Sequence, residues 1–241
     1  MSGHSKWATI KRQKGAADIK RGQQFTKLAN AIIIAVRQGG GITDPASNFK
    51  LRLAIDKARS YNMPKENIER SIAKARGTSD SGELQEALYE GFGPGGAAFL
   101  IEAVTDNKQR TVAEIKNVIE KNDGTLGNQG SVSYLFQRVG EIAAPTSEKS
   151  QDELFEIALE LDSNDYVEEE GDIVFYVQPS KLAASKKILE GKGIPVSSAE
   201  LVYKPLTILE VADEIKRKIG MLVEKLEELD DVQNVFVNTS L

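Results

Sequence analysis

The spacing of apolar residues changes once along this chain of 241 residues, and that change limits the folds open to it. Up to residue 76, apolar side chains recur every three or four residues, as they do on one face of a helix. A Gly/Ser/Asp segment follows at residues 77–82, and beyond it short strand-like runs alternate with helical ones. The sequence therefore predicts an α+β multidomain protein, with a helical module joined to α/β modules.

Three helices are predicted in the first part of the chain. Apolar residues at helical spacing form stripes over residues 25–36, 51–58 and 68–75. Asp44-Pro45 supplies an N-cap and a proline at the first helical position of the second helix. We expect the stripes to share one small core, in a domain of residues 1–78. Basic residues that fall outside the stripes are left for the surface, namely Arg52, Lys57, Arg59, Arg70, Lys74 and Arg76.

The middle of the remaining chain carries a complete ferredoxin-like order of elements. Between residues 141 and 203, the apolar runs follow the order strand, helix, strand, strand, helix, strand. A Glu-Gly-Asp turn at residues 170–172 joins the two central strands as a hairpin. We therefore predict a ferredoxin-like domain of residues 139–204.

The segments on either side of that domain complete one another. Residues 82–138 supply a strand pair, a helix and a third strand over Ser131–Phe136, but no closing helix and strand. Residues 205–241 supply both, the strand being Val232–Val237. The sequence thus predicts an α/β domain of residues 82–138 plus 205–241, into which the ferredoxin-like domain is inserted. We expect the long closing helix to pack on its own sheet, and a coiled-coil seam is the alternative.

The net charge of −5 conceals a strong separation of charge along the chain. Residues 1–76 contain 16 Lys and Arg against 5 Asp and Glu, a net charge of +11, whereas residues 77–241 carry −16. A basic module joined to an acidic body is typical of a protein with a polyanion-binding head. The alternative is a helical domain whose lysines and arginines are simply solvated.

Basic residues are densest in the N-terminal arm, residues 1–23, around the only tryptophan of the chain. Lysine and arginine neutralise phosphates, and an indole ring stacks on a base. Docking of Trp7 on the core of the head is the alternative, and no spacing identifies the recognition helix of a helix-turn-helix motif. The predicted nucleic-acid-binding residues are His4, Lys6, Trp7, Lys11, Arg12, Lys14, Lys20, Arg21 and Lys27.

Composition excludes several classes of protein. The chain has no cysteine and one histidine, so disulfides, thiolate nucleophiles and multi-histidine metal sites are excluded. Hydrophobic residues make up 40% and charged residues 28%, with a mean hydropathy of −0.33, which is an ordinary globular mixture. No apolar run is long enough to cross a bilayer. We expect a cytoplasmic monomer that makes no membrane contact.

The motifs that suggest catalysis or cofactor binding stand in the wrong context. Gly91–Gly96 matches G-x-G-x-x-G, but a strand-like run follows it instead of the helix that a dinucleotide site needs. Gly124–Gly130 is a second glycine-rich loop, whose backbone N–H groups could cradle a phosphate. At a strand-to-helix junction, Asp106 or Asn107 is expected to cap the helix, and an RNA-contacting tip is the alternative. We expect no enzymatic activity, no cofactor and no metal.

The sequence resembles the YebC/TACO1 family from Gly3 to about Phe136, and the order of elements continues the resemblance. The matching motifs are Gly3-His4-Ser5-Lys6-Trp7-Ala8, Phe25-Thr26-Lys27-Leu28, Asn62-Met63-Pro64-Lys65, Tyr89-Glu90-Gly91-Phe92-Gly93-Pro94-Gly95-Gly96, Thr105-Asp106-Asn107 and Gly130-Ser131-Val132. The resemblance implies three domains, one helical and two α/β, with one α/β domain inserted in the other. It also implies that no cofactor or metal is bound.

Members of this family are described both as DNA-binding transcriptional regulators and as translation factors that relieve ribosome stalling at difficult peptide bonds. The resemblance therefore predicts a non-enzymatic regulator of gene expression, a ribosome- or RNA-associated translation factor that contacts rRNA or tRNA. One alternative is a transcriptional regulator that binds duplex DNA with the same basic head. Another is a metabolite-binding α/β protein that uses one of the glycine-rich loops.

Overall fold

A computed structural model describes residues 18–76, 84–145, 150–163, 165–169 and 171–240, with the side chains of residues 18–21, 151 and 169 excepted. Within these ranges it contains seven helices and two four-stranded antiparallel sheets. This confirms the mixed α/β character that the apolar spacing predicts. None of the described helices is both long and apolar enough to cross a membrane.

The three helices of the N-terminal part share one core, as predicted. They are α1 (Asp18–Gln38), α2 (Phe49–Ser60) and α3 (Lys65–Arg76). Their buried apolar side chains form a single cluster, which contains Leu28, Ile32, Ala35, Val36, Leu51, Ile55, Ala58, Met63 and Ile68. Helix α1 already begins at residue 18, so the last six residues of the predicted arm are helical. The predicted linker at residues 77–82 lies outside the described residues.

The second helix begins later than the sequence predicts. Its N-cap is Asn48, whose side-chain oxygen accepts a hydrogen bond from the N–H of Leu51 at 3.1 Å. The prediction of Asp44 as the cap is wrong, because Asp44 accepts a hydrogen bond from the backbone N–H two residues on, at 3.0 Å. Aspartate stabilises such turns as readily as it caps helices, so Asp-Pro marks a turn here.

The first sheet consists of β1 (Gln85–Phe92), β2 (Ala98–Thr105), β3 (Thr125–Leu126) and β8 (Val232–Val237). Its strand order is β3-β1-β2-β8. Helices α4 (Lys108–Glu120) and α7 (Asp213–Glu227) contribute to the core on one face of this sheet. Because four residues of α7 are buried in that core, the long helix packs on its own sheet, as predicted.

The predicted strand over Ser131–Phe136 is wrong. Residues Ser133–Leu135 form a short 3-10 turn, and the third strand of the sheet is β3, at residues 125–126. The physical reason lies in the backbone N–H groups of residues 130, 132 and 133, which bond the carboxylate of Glu90. Donors held by a side chain cannot pair with a neighbouring strand.

The second sheet has the order β5-β6-β4-β7, and every neighbouring pair is antiparallel. Its elements are β4 (Phe136–Pro145), α5 (Gln151–Glu160), β5 (Asp165–Glu169), β6 (Asp172–Val177), α6 (Leu182–Gly191) and β7 (Ser198–Pro205). The predicted order of strands and helices is confirmed. Strand β4 runs without interruption through residues 138 and 139, where the sequence predicts a domain boundary, and the division into domains stays a prediction.

Candidate nucleic-acid interface

Most of the predicted nucleic-acid-binding residues cannot be placed in the structure. Six predicted residues of the arm, His4, Lys6, Trp7, Lys11, Arg12 and Lys14, lie outside the described residues. The other two of the arm, Lys20 and Arg21, lie at the start of α1, but the structure does not describe their side chains. For these eight residues, contact with nucleic acid stays a prediction.

Lys27 is the predicted residue whose side chain the structure places, and it lies in the interior. It is 7% exposed, and its ammonium group donates a hydrogen bond to the main-chain oxygen of Glu227, at the end of α7. A carbonyl group at the C-terminal end of a helix is a favourable partner for a cation. Lys27 therefore joins α1 to α7 and does not extend an exposed basic surface.

Exposed cations on α3 continue the positive charge of the head. Arg70 and Lys74 lie one turn apart and are both exposed. Within the described ranges, no acidic side chain pairs with either of them. Lys65, in the first turn, makes a loose and exposed pair with Glu69 at 3.6 Å. Because residues four apart share a helix face, α3 presents these two positive charges side by side to the solvent, with exposed Glu66 one turn before Arg70.

Other basic groups hold the helical module against the sheets. Lys57 Nζ lies 2.5 Å from Glu200 Oε2 on β7 and its side chain is 28% exposed, so Lys57 is only partly at the surface and is engaged in an ion pair. Burial disfavours the charged form of Lys57, but the neighbouring Glu200 carboxylate outweighs it and raises the pKa of Lys57. A second pair joins Lys186 Nζ on α6 to Asp56 on α2 at 2.7 Å. Two apolar side chains of α2 also pack on the core of the second sheet.

The glycine-rich loop at residues 124–130 binds a carboxylate of the protein itself. Glu90 on β1 is 3% exposed and accepts hydrogen bonds from the backbone N–H groups of Gly130, Val132 and Ser133 at 2.7–2.8 Å. Burial alone would raise the pKa of Glu90, but the three N–H donors outweigh burial and lower it. Within the loop itself, the N–H groups of Gly124, Gly127 and Gly130 all donate to oxygens of the protein, so none of these three is free to bind a phosphate.

The other glycine-rich segment is a tight turn between antiparallel strands, as predicted. The N–H of Gly93 donates to the carbonyl oxygen of Ala97 at 2.8 Å, which closes the connection between β1 and β2. Gly95 and Gly96 adopt positive φ angles of 68° and 80°, a conformation that glycine tolerates best. Because β2 follows and no helix opens at this loop, it lacks the geometry of a dinucleotide site.

The charged residues around the start of α4 form a closed network with Asp231. Asn107 is the N-cap, as predicted, and accepts a hydrogen bond from the N–H of Arg110 at 3.1 Å. The Arg110 guanidinium donates to Asp106 at 3.0 Å and to Asp231 at 2.8 Å. Burial raises the pKa of Asp231, but the hydrogen bonds from Thr111 and Arg110 outweigh it and lower the pKa. Arg110 is thus engaged by two carboxylates, which leaves it poorly suited to contact RNA.

A cleft of about 410 Å³ lies where α1 and α2 meet the strands of both sheets. The helical wall carries aliphatic side chains, Leu28, Ala31, Ile34, Leu53 and Ala54, with polar and charged ones around them, Gln24, Lys27, Gln38, Lys50 and Lys57. The strand wall carries the polar side chains Glu86, Glu102, Arg138, Tyr203, Gln233 and Asn234 beside aliphatic ones such as Leu88 and Leu201. Burial raises the pKa of Glu102, which accepts a hydrogen bond from the amide of Asn234 at 2.9 Å. In the part of the chain that the structure covers, no group of three His, Asp or Glu residues could hold a metal ion.

Two family models together match nearly the whole chain. Residues 5–78 match the model described as the TACO1/YebC protein N-terminal domain. Residues 84–239 match the model described as the TACO1/YebC second and third domain.

Curated relatives and a solved structure agree with these matches. A protein from Trichlorobacter lovleyi is 48% identical over 240 residues, which cover 99% of this chain and 95% of the relative. A protein from Herpetosiphon aurantiacus is 45% identical, with 99% and 94% covered, and each is named "Probable transcriptional regulatory protein". The crystal structure of a conserved hypothetical protein from Aquifex aeolicus has a TM-score of 0.86 at 41% identity, covering 97% of this chain and 96% of that one. The chain belongs to the TACO1/YebC family.

Proposed function

We propose that this protein is a non-enzymatic, nucleic-acid-binding regulator of gene expression that works as a ribosome-associated translation factor. The observation that carries the proposal is the separation of charge, +11 in residues 1–76 against −16 in the remainder. Arg70 and Lys74 support it, since they are exposed on α3 and make no ion pair within the described chain. The arm and α3 would contact phosphates of rRNA or tRNA, while the acidic body is repelled by them.

The character of α3 favours contact with a nucleic-acid backbone over insertion into a DNA groove. Its first six residues expose charges of both signs, Lys65, Glu66, Glu69 and Arg70, whereas its last turn exposes Lys74 and Arg76 and no acidic residue. A recognition helix in a major groove lies between two rows of phosphates, which repel exposed carboxylates. Such a helix end suits phosphates approached from one side, as on a folded RNA. The single tryptophan in the arm adds a group that can stack on an unpaired base.

The second candidate is a transcriptional regulator that binds duplex DNA. The names of the curated relatives favour it, because they describe probable transcriptional regulatory proteins. Salt-dependent contact with phosphates is common to both candidates, so affinity for a polyanion does not separate them. A test therefore needs ribosomes and DNA in competition.

Sedimentation with ribosomes at near-physiological salt, with excess non-specific duplex DNA present, tests the proposal. The full-length protein should pellet with ribosomes despite the DNA. A variant with Lys11→Glu, Arg12→Glu and Lys14→Glu should lose about tenfold or more in affinity, because three phosphate contacts become repulsive. The matched control carries Lys121→Glu, Lys187→Glu and Arg217→Glu, three exposed cations of the body. It should pellet like the unchanged protein.

Two results would overturn the translation-factor proposal. Pelleting that the duplex DNA abolishes would leave only general affinity for polyanions, and the DNA-binding candidate would then be favoured. An equal loss of pelleting in both charge-reversed variants would show that net charge matters and that the basic arm does not.

A further inference from the structure

The cleft beside α1 and α2 is an open space, and no such space is needed to hold the helical module against the sheets. Its volume of about 410 Å³ lies within the range of small-ligand pockets. Where two parts of a protein are merely joined, side chains are expected to fill the space between them, because protein interiors pack as densely as organic crystals. The ion pair of Lys57 and Glu200 already joins the helices to the second sheet at the edge of this cleft.

A break in strand pairing turns two amide side chains towards the cleft. Glu102 on β2 pairs with Asn234 on β8, but Ala103 pairs with Val232, so Gln233 has no partner in the ladder. Consecutive side chains of a regular strand point to opposite faces of a sheet. Gln233 and Asn234 nevertheless both line the cleft. Bulges of this kind redirect side chains beside binding sites.

One of these amides has a hydrogen-bond donor that is not used. The Nε2 atom of Gln233 is buried, and no acceptor in the described chain receives its hydrogen bond. The amide of Asn234, by contrast, donates to Glu102 at 2.9 Å. Leaving a buried amide donor unpaired is unfavourable. Because Nε2 itself has no contact with solvent, a ligand with an acceptor in the cleft would remove that penalty only by drawing the Gln233 amide towards it.

Among the described residues, four cations and three carboxylates line the cleft, so its charges are close to balanced, which argues against a simple anion as the ligand. Lys57 is paired with Glu200, and Lys27 and Lys50 donate to oxygens of Glu227 and Gln38. The cation of Arg138 lies near the carboxylate of Glu102. Such a mixture neither attracts nor repels a phosphate strongly. Directional donors and acceptors then decide what binds, and amide and carboxyl groups are the side chains that pair with the edges of nucleobases.

The two walls suit a flat and largely apolar ring. The guanidinium carbon of Arg138 lies 5.9 Å from the centroid of the Tyr203 ring, which places a cation and an aromatic ring together on the strand wall. Aliphatic side chains of α1 and α2 face them across the cleft. Unpaired RNA bases are commonly held on aromatic rings and on the planes of arginine side chains.

We infer that this cleft binds one unpaired nucleobase of an RNA strand. The Gln233 amide bonds the edge of the base, and Arg138 and Tyr203 contact the base on the strand wall. The inference rests on the proposed function, in which the basic arm and α3 hold the phosphates of the same RNA.

Saturation-transfer NMR on the full-length protein tests the pocket, with the four nucleoside 5′-monophosphates as probes. Ribose 5-phosphate, which lacks a base, is the control ligand. At least one nucleotide should receive stronger saturation on its base protons than on its ribose protons, and ribose 5-phosphate should receive none. Gln233→Ala and Arg138→Ala should each weaken that binding about tenfold, the effect of losing one good polar contact. Gln129→Ala and Arg217→Ala, two exposed positions away from the cleft, should not change it.

Absence of transfer to any of the four bases would overturn the inference, as would binding that neither Gln233→Ala nor Arg138→Ala weakens. Arg138 is exposed, so its replacement keeps the test valid even where Gln233→Ala disturbs the sheet. Failure of the pocket and failure of the proposed function give different results. Nucleotide binding without arm-dependent ribosome pelleting would refute the function alone, whereas arm-dependent pelleting without nucleotide binding would refute the pocket alone.

Discussion

Two glutamates on neighbouring strands of the first sheet show how hydrogen-bond donors set the charge state of a single residue. Glu90 is buried among three backbone N–H donors, and its pKa is lowered. Glu102 is also sequestered, but one side-chain amide is its donor in the cleft, and burial raises its pKa. The number of donors therefore decides whether burial raises or fails to raise the pKa of each carboxyl group.

Replacing Glu90 by Gln should lower the free energy of unfolding at pH 7 by about 2 kcal/mol, because three N–H groups lose a charged acceptor. A carboxyl group whose pKa is lower in the folded state stabilises the fold above its unfolded pKa, and this stabilisation is lost as pH falls through the folded pKa. The difference from the unchanged protein should therefore shrink below about pH 4, as measured by urea denaturation across the acid range.

Glu114→Gln is the matched control for this experiment, because Glu114 is exposed on α4. It should leave the unfolding free energy nearly unchanged at every pH. A difference between Glu90→Gln and the unchanged protein that stays constant from neutral pH to about pH 3 would contradict a charged Glu90 as its source.

At the scale of the elements, two asparagine side chains cap helices, but they make different numbers of hydrogen bonds to the backbone. Asn48 is 5% exposed and, besides capping α2, donates to the carbonyl oxygens of Ala35 and Ile42 at 3.0 and 2.9 Å. It thereby joins the end of α1, the following loop and the start of α2. Asn107 is exposed and accepts a hydrogen bond from the N–H of Arg110. The first cap organises a helix connection, and the second begins a helix.

Asn48→Ala should therefore cost about 3 kcal/mol of unfolding free energy, because the cap is lost and two carbonyl groups lose their donor. Asn107→Ala should cost about 1 kcal/mol, the ordinary value for a cap. Denaturant titrations of both variants measure the comparison. Equal losses would mean that the two extra hydrogen bonds of Asn48 do not stabilise the helix connection.

The elements of this fold follow from apolar spacing wherever a side-chain stripe meets a core, and this explains why the helices and most strands are predictable. The failures at Asp44 and at residues 131–136 have one cause. In both places, a side chain bonds backbone N–H groups and so decides the local structure. For residues 131–136 that side chain is Glu90, some forty positions earlier, and no local pattern shows it.

Part of the candidate site was readable from the sequence, and part was not. Charge spacing pointed to the arm and left Arg70 and Lys74 for the surface, but it also counted Lys27, which lies in the interior. The bulge that turns Gln233 into the cleft is only weakly visible in the spacing of apolar residues in the sequence. The residues of β8 on the core side are Val232, Val235 and Val237, so one interval is three positions long where a regular strand has two.

At the scale of the whole molecule, charge pairs help to hold the helical module on the sheets. Lys57 meets Glu200, and Asp56 meets Lys186, both across the boundary between α2 and the second sheet with its helices. Pairs of this kind are specific in geometry but contribute little net free energy, since desolvation offsets attraction. We therefore expect the helical module to stay attached only while each of these pairs consists of one positive and one negative side chain.

Lys57→Glu should weaken that attachment, because it places two carboxylates where an ion pair with an N–O distance of 2.5 Å stood. Small-angle scattering should show a radius of gyration larger by about 2 Å than the ~18 Å expected of a compact chain of this length. Combining it with Glu200→Lys restores opposite charges and should restore the original value. A radius that Lys57→Glu leaves unchanged, or that the charge swap does not restore, would show that apolar contacts alone hold the module.

The pairing of β2 with β8 also determines when the first sheet can be completed during synthesis of the chain. Ile101 and Val235 are neighbours across that ladder, although the whole second sheet lies between them in the sequence. A ribosome that adds about ten residues per second needs roughly 13 seconds to pass from one to the other. For that interval, β2 has a free edge on the side where β8 belongs, while the elements of the second sheet emerge. The nascent chain therefore has to keep an apolar strand edge from other chains until synthesis reaches β8.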